Sequence, residues 1–287
     1  MSNFIEIKNE YLSISINTLG AELSSITGRG GTEFLWNGDK TVWSGKAPVL
    51  FPICGSLKGG KYTYNGTEYA LPKHGFTRGS EFEGENLSKT SARFTLKSNA
   101  ETLSSYPFEF IFTITYELIE KNLKITYDVK NLSSDTMFFS IGSHEAYSCP
   151  EGIEEYYIEF EEPVTLDTLT VVDGGISTTP VRVAENITTL PLKYEYFSVD
   201  ALIFKNASFD KASLVNKKTG KRCTVSFPGF NNFLIWTKPK ANYLCLEPWC
   251  GALETTDADT CIENKENIVK LDKDMLFSIV HAITFEE

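Results

Sequence analysis

The sequence predicts an all-β protein that folds as one large antiparallel β-sandwich. Three observations support this prediction. Apolar and polar residues alternate in many segments, these segments are rich in β-branched and aromatic residues, and turn-forming residues join them. No long stretch has the spacing of an amphipathic helix. In such a fold one face of a sheet is buried as core, while strand ends and loops can line a groove.

The candidate strands follow one another along the whole chain. They cover residues 11–16, 108–118, 123–129, 156–160, 201–204 and 277–285. The polar segment 252–267 is expected to hold a turn or a short helix at most. Because no linker, internal repeat or low-complexity run interrupts the pattern, residues 1–287 are interpreted as one domain.

The joints between these strands have the composition of tight turns. Asn65 and Gly66 form the clearest hairpin signal, because both residue types tolerate a positive φ. Residues 120–122 and 217–220 carry a similar signal. Such joints predict that neighbouring strands run mostly antiparallel.

Composition narrows the classes of partner. The net charge of -11, without a cluster of lysine and arginine, disfavours nucleic acid and anionic membranes as partners. No apolar run reaches the roughly 18 to 20 residues of a membrane helix. The first residues have neither the basic start nor the apolar run of a secretory signal, so a cytoplasmic location is expected.

The spacing of the cysteines and the lack of known cofactor motifs disfavour a metal site or a nucleotide cofactor. The 6 cysteines include no CxxC pair, so reduced thiols are expected. Cys54, Cys149 and Cys250 lie near the motifs described below, but they are interpreted as packing residues because no paired spacing supports a metal site. Without a P-loop or a dinucleotide glycine fingerprint, no cofactor is expected.

Three residues form a candidate set for proton transfer. Glu247 lies in the run LCLEPWCG, where proline ends a strand, and tryptophan and glycine could open a pocket. His74 in PKHGF and His144 in GSHEAY also lie at strand ends among small and aromatic residues. A carboxylate and two imidazoles suit acid and base chemistry on a small ring-shaped substrate. His281 lies within an alternating segment and is interpreted as structural.

Four motifs, in this order along the chain, resemble those of the aldose 1-epimerase (galactose mutarotase) family, most closely its LacX-like branch. They are WSGKAPVLFPICG at 43–55, KHGFTR at 73–78, IGSHEAY at 141–147 and EPWCG at 247–251. AELSSI at 21–26, followed by FLW at 34–36, is similar to the opening hairpin of that family. The resemblance therefore covers nearly the whole chain and implies a β-supersandwich fold.

The resemblance also implies an activity, the interconversion of the α and β anomers of a free hexose by ring opening. By this similarity Glu247 is the base, His144 is the acid, and His74 holds the sugar and polarises its ring oxygen. The resemblance leads us to expect a protonated His144 beside an ionised Glu247. No cofactor is implied, and the partner is a small sugar bound by a monomer or a homodimer.

Further substrate-binding residues follow from the same resemblance. Asp200 and Arg78 match substrate-binding positions of relatives, and Trp249 is a candidate to stack on the sugar, ahead of Trp43 and Phe76. The chain departs from the family at Ser56, where relatives carry arginine. It also departs at Ser143 and Glu145, which stand where glycine and proline are usual around His144. The resemblance thus implies His144 and Glu247 as catalytic residues, and the substrate-binding residues His74, Arg78, Asp200 and Trp249.

Three alternatives stay open at this point. Arg78, with Lys46 or Lys73, could select a hexose 6-phosphate instead of a free hexose. Ser56 in place of arginine permits a carbohydrate-binding or sensor protein with weak catalysis. A glycoside hydrolase is less favoured, since it needs a second carboxylate, which Glu145 or Asp200 would have to supply.

Overall fold

The computed structural model describes residues 4–173 and 175–287 and consists mainly of β-strands. The strands are β1 (Phe4–Lys8), β2 (Leu12–Asn17), β3 (Leu23–Gly28), β4 (Val49–Leu50), β5 (Lys61–Tyr64), β6 (Thr67–Ala70), β7 (Glu83–Asn86), β8 (Ser91–Lys97), β9 (Phe110–Ile119), β10 (Asn122–Asn131), β11 (Met137–Phe139), β12 (Ile141–Ser143), β13 (Glu145–Ser148), β14 (Tyr156–Thr168), β15 (Val171–Val172), β16 (Gly175–Ile176), β17 (Val181–Pro191), β18 (Leu202–Lys205), β19 (Lys211–Asn216), β20 (Arg222–Ser226), β21 (Asn232–Trp236), β22 (Tyr243–Cys250), β23 (Val269–Leu271) and β24 (Leu276–Glu286).

Helical structure is confined to short segments. The α-helix α1 (Ala100–Ser105) begins after Asn99, whose side-chain oxygen accepts hydrogen bonds from the backbone N–H groups of Glu101 and Thr102. Single 3₁₀ turns lie at Lys58–Gly60, Thr77–Gly79, Ile153–Glu155, Tyr194–Phe197 and Ile262–Asn264. Within the described part of the chain, no helix has the length and apolar character needed to cross a membrane.

Two large sheets dominate the architecture. One has 9 strands in the order β17-β14-β19-β20-β24-β10-β9-β8-β7. The other has 6 strands, ordered β18-β21-β22-β12-β4, with β13 also pairing with β22. The sheet β1-β2-β3 and the pairs β5-β6, β11-β23 and β15-β16 complete the β-structure that the coordinates describe. Adjacent strands of both large sheets pair antiparallel, as the sequence predicts.

The predicted strands and turns are confirmed. Each of the six alternating segments overlaps an observed strand, with ends that differ by at most two residues, except that β14 continues from 160 to Thr168. Asn65 and Gly66 join β5 to β6 with φ of 48° and 74°, the positive values that a two-residue hairpin requires. The polar segment 252–267 holds one 3₁₀ turn, Ile262–Asn264.

A hydrophobic core joins the two large sheets. Phe112 and Ile114 of β9 belong to the same buried cluster as Leu244 and Leu246 of β22. Because side chains alternate along a strand, the odd-numbered residues of β22 face the opposite side of the six-stranded sheet. That side carries the candidate site.

Candidate functional site

A cavity lies on the face of the six-stranded sheet that points away from the nine-stranded sheet. Its volume is about 440 Å³, within the range of small-molecule sites. All six predicted site residues line it: His74, Arg78, His144, Asp200, Glu247 and Trp249. Ser56 also lines it. The fold thus brings together residues that are far apart in the sequence.

Strand register places His144 opposite Glu247. Gly142 of β12 pairs with Trp249 of β22, and Glu145 of β13 pairs with Leu246. Both pairs have the same register, so His144, between β12 and β13, comes opposite Glu247. Directly opposed residues on antiparallel strands project to the same face, with Cβ atoms about 4.5–5.5 Å apart. The two functional groups therefore meet because of sheet pairing.

The His144 and Glu247 side chains are in direct contact. Nδ1 of His144 lies 3.3 Å from Oε1 of Glu247, and both side chains are buried. This contact does not have hydrogen-bond geometry, and Nδ1 has no hydrogen-bond partner among the described residues.

Burial favours the neutral forms of both groups. Desolvation lowers the pKa of His144 well below its usual value, with a further contribution from His74 and Lys73. Desolvation raises the pKa of Glu247 well above its usual value, against the attraction of Lys73. The expected pair of protonated His144 and ionised Glu247 is therefore not the form that burial favours; the shared proton belongs on Glu247.

A tight turn presents His74 in one tautomer. The backbone N–H of Gly55 donates to Nδ1 of His74 at 3.1 Å, so the ring proton lies on Nε2. Burial lowers the pKa of His74 to about 3, with the positive charges of Lys73 and Arg78 acting in the same direction. At neutral pH His74 is thus an uncharged hydrogen-bond donor, with its ring centre 5.5 Å from that of His144.

Glycine makes this turn possible. His74 and Gly75 have φ of 68° and 75°. A Cβ on Gly75 would lie 2.1 Å from the carbonyl oxygen of Phe51. Only glycine fits this close approach without displacing the backbone.

Aromatic residues form the wall around His144 and Glu247. Trp43 stacks on the His144 ring with centroids 5.1 Å apart, and Trp236 meets the same ring edge-on at 5.5 Å. Trp249 is buried, and its Nε1–H donates to the carbonyl of Ser143 at 3.3 Å. Phe76 does not line the cavity and packs against the hydrophobic core instead.

Trp236 is a site residue that sequence reasoning missed. It lies on β21, where Leu234 pairs with Glu247, and both Leu234 and Trp236 face the cavity. The apolar run 233–236 is consistent with a strand, but it does not tell which face meets the cavity. Nothing else in the local sequence could have found this residue.

The lysine and arginine side chains considered for the cavity differ in whether they have a hydrogen-bond or ion-pair partner. Lys73 and Arg78 are exposed, and within the described structure neither makes a hydrogen bond or an ion pair. Lys238 donates to the carbonyl of Val42 at 2.5 Å. Lys46, considered above as a phosphate partner, is not among the lining residues and donates to the carbonyl of Ser24 at 2.7 Å.

Glu145 is not available as a second catalytic carboxylate. It faces the core, where Oε1 lies 3.2 Å from Nε2 of His281. Consecutive strand residues point to opposite faces, so the Glu145 side chain points away from the cavity that His144 lines. Of the two carboxylates considered for a hydrolase, only Asp200 lines the cavity.

One group of side chains has the spacing of metal ligands. The ligating atoms of His144, Cys245 and Glu247 all lie within 4.8 Å of one another. Burial, however, raises the pKa of the Cys245 thiol well above its usual value, which opposes the thiolate that metals bind. Cys54, Cys149 and Cys250 do not belong to this group, and the absence of a resident metal stays a prediction.

Comparison with known proteins identifies relatives over nearly the full length of the chain. The family model described as aldose 1-epimerase matches residues 3–259. Protein LacX of Lactococcus lactis subsp. lactis, in its plasmid and chromosomal forms, is 35% identical over 284 residues, covering 93% of this chain and 94% of LacX.

Solved structures show the same fold. A galactose mutarotase related enzyme from Lactobacillus acidophilus has a TM-score of 0.94 and 33% identity, covering 99% of this chain and 97% of its own. A galactose mutarotase-like protein from Lactobacillus casei has a TM-score of 0.88 and 27% identity, covering 99% and 100%. The β-sandwich is thus of the galactose mutarotase-like type.

Proposed function

Because the chain belongs to the aldose 1-epimerase family, we propose that it is a mutarotase, which interconverts the α and β anomers of a free hexose. The observation that carries this proposal is the buried pair His144 and Glu247, whose Nδ1 and Oε1 atoms lie 3.3 Å apart in the cavity described above. An acid and a base at this distance can act on the two oxygens of one anomeric carbon.

The reaction requires two coupled proton transfers. Glu247 in its ionised form takes the proton of the anomeric hydroxyl, and His144 in its protonated form gives a proton to the ring oxygen. The bond between C1 and the ring oxygen breaks, C1 becomes a carbonyl, and rotation about the C1–C2 bond precedes ring closure by the reverse steps. Each positioned proton transfer contributes roughly 10²- to 10⁴-fold in rate.

The neutral resting pair is compatible with this chemistry. Moving one proton from Glu247 to His144 yields the active ionic form without exchange with solvent. The total number of protons on the pair is the same in both forms. His74 supports the reaction as a neutral donor, since its Nε2–H is free to bind a sugar oxygen.

Lys73 and Arg78 favour a second candidate, a hexose 6-phosphate mutarotase. Both are exposed at the cavity without a described hydrogen-bond or ion-pair partner, and the phosphate of such a substrate would supply one. Losing a hydrogen bond to a charged group costs about 1.5–3 kcal/mol, roughly 10-fold or more in affinity. Arg78→Leu and Lys73→Met should therefore raise KM for glucose 6-phosphate selectively, with little change for glucose.

The test of the proposed function is NMR exchange spectroscopy on equilibrated glucose, galactose and glucose 6-phosphate. Wild type is compared with Glu247→Gln and His144→Asn. Glu68→Gln serves as the control, because it makes the same chemical change at an exposed ion pair with Lys61. We expect acceleration by wild type and the control, and a loss of about 10²-fold or more in both site variants.

Two other outcomes would overturn the proposal. Exchange that survives Glu247→Gln unchanged would remove the base assigned here. Sugar-induced shifts in the protein spectrum without faster exchange on any of the three sugars would instead indicate a binding or sensor protein, as Ser56 in place of arginine permits.

A further inference from the structure

The residue after His144 enters the hydrophobic core and makes polar contacts there. Glu145 is 2% exposed, and its Oε2 accepts a hydrogen bond from Oγ of Ser143 at 2.7 Å. Its Oε1 lies 3.2 Å from Nε2 of His281, a distance that suits an Nε2–H donor. Ser143 and Glu145 thus flank His144 in the chain and are tied to each other beneath it.

His281 belongs to the other large sheet. It lies on β24, where it pairs with Ile125 of β10, and its side chain is 0% exposed. Its ring stacks on Tyr127 with centroids 5.5 Å apart and meets Phe230 edge-on at 5.9 Å. The contact between Glu145 and His281 therefore crosses the core and anchors β13 to a ring that its own sheet holds in place.

Stability alone does not account for such a pair. Buried charged or polar pairs often contribute no more than apolar side chains of the same volume, because desolvation opposes their attraction. The other inward-facing residues of β24, such as Ile279 and Ile283, are apolar. The location of this pair, directly under the catalytic histidine, calls for a different reason.

The regular hydrogen bonding of the sheet is interrupted at His144. Register places Ser143 opposite Pro248, which has no N–H to give to the strand pairing, and β12 and β13 are interrupted at His144. The carbonyl of Ser143 instead accepts from Trp249 Nε1. Side-chain contacts thus take over where regular sheet hydrogen bonding is broken.

We propose that Glu145, tied to Ser143 and His281, is a positioning residue that holds His144 opposite Glu247. This inference rests on the proposed function, because it assigns the pair a role in the same proton transfers. A misplacement of about 1 Å can cost about 10²-fold in rate. The pair should therefore affect kcat much more than KM.

Four variants test the pair in steps. Glu145→Gln keeps an oxygen that accepts from Nε2–H of His281, and its NH₂ group can donate to Oγ of Ser143, so this variant should retain most of kcat. Glu145→Leu and His281→Phe remove the contact, and each should lower kcat by about 10- to 100-fold with KM changed less than about 3-fold. The double variant Glu145→Leu with His281→Phe should be no slower than either single variant, since both remove one interaction.

Stability distinguishes positioning from a purely structural role. Each single variant leaves one polar partner buried and should be less stable, whereas the double variant should recover much of that stability. Under our proposal the double variant is stable but stays slow. Ile283→Val is the matched control, because it removes a methyl group from the same inward face of β24 and should lose stability while keeping kcat.

A readout without substrate separates this inference from the proposed function. The imidazole nitrogen resonances of His144 should shift in Glu145→Leu and His281→Phe, but not in Ile283→Val. If wild type accelerated no sugar, these shifts would still report whether the pair positions His144. Unshifted resonances, or a kcat that recovers together with stability in the double variant, would overturn the inference.

Discussion

At the scale of single residues, the behaviour of His144 and Glu247 follows from their burial as a pair. Burial opposes a second proton on the pair, which would leave it positively charged, and it also opposes loss of the only proton, which would leave it negative. The form with one proton is therefore favoured over a wide pH range. This form contains both the resting and the active arrangement.

The pH dependence of kcat follows from this reasoning. We expect a broad plateau around neutral pH, an acid limb where His144 gains a proton while Glu247 keeps its own, and an alkaline limb where Glu247 loses the shared proton. The plateau should be wider than that of a free histidine and a free glutamate, because the pKa of His144 is lowered and that of Glu247 is raised. A pH series of exchange rates measures both limbs.

The variant Lys73→Met tests the direction in which a nearby positive charge shifts the pKa values of His144 and Glu247. The positive charge of Lys73 lowers the pKa of both His144 and Glu247, so its removal should move both limbs to higher pH. Because Lys73 is exposed, added salt should shift wild type in the same direction. Limbs that move apart or towards lower pH would contradict this account.

At the scale of elements, the turn that carries His74 depends on the space available at Gly75. Its φ of 75° disfavours any residue with a Cβ, and the carbonyl of Phe51 leaves no room for one. Gly66 offers the same backbone conformation, with φ of 74°, but no atom lies within 4 Å of a Cβ built there. Comparing substitutions at the two glycines therefore distinguishes the effect of conformational strain from that of steric overlap.

Alanine at these two positions should have unequal effects. Gly66→Ala should lower the free energy of unfolding by about 1 kcal/mol, through backbone strain alone. Gly75→Ala should cost about 2–4 kcal/mol, because the overlap with Phe51 adds to the strain. Urea denaturation measures both, and equal losses would show that the space at Gly75 is not limiting. Only Gly75→Ala should also slow anomer exchange, through displacement of His74.

At the scale of the whole molecule, the two large sheets share one hydrophobic core, which favours cooperative unfolding. We expect one transition in scanning calorimetry, in agreement with the interpretation of residues 1–287 as one domain. A sugar that binds only the folded protein should stabilise it by about 2.7 kcal/mol at 100 times its Kd. Two separate transitions, or stabilisation of only one of them, would contradict the single-domain interpretation.

The sequence predicted the strands better than it predicted the arrangement between them. Alternation with a period of two is local, so it identifies β9, β10 and β24 directly. The pairing of His144 with Glu247 depends on contacts between β13 and β22, which are distant in the chain, and only the family motifs indicated it. The inward direction of Glu145 was readable in principle, because consecutive strand residues face opposite sides.

The register between His144 and Glu247 also bears on how new specificities could be engineered. Glu247 lies on β22, and His144 lies between β12 and β13, which both pair with β22. Arg78 and Asp200, in contrast, lie outside the strands of the six-stranded sheet. Loops around the cavity can therefore be exchanged or lengthened without altering the distance over which protons move. A library restricted to those loops would vary the residues around the cavity while the proposed acid and base keep their geometry.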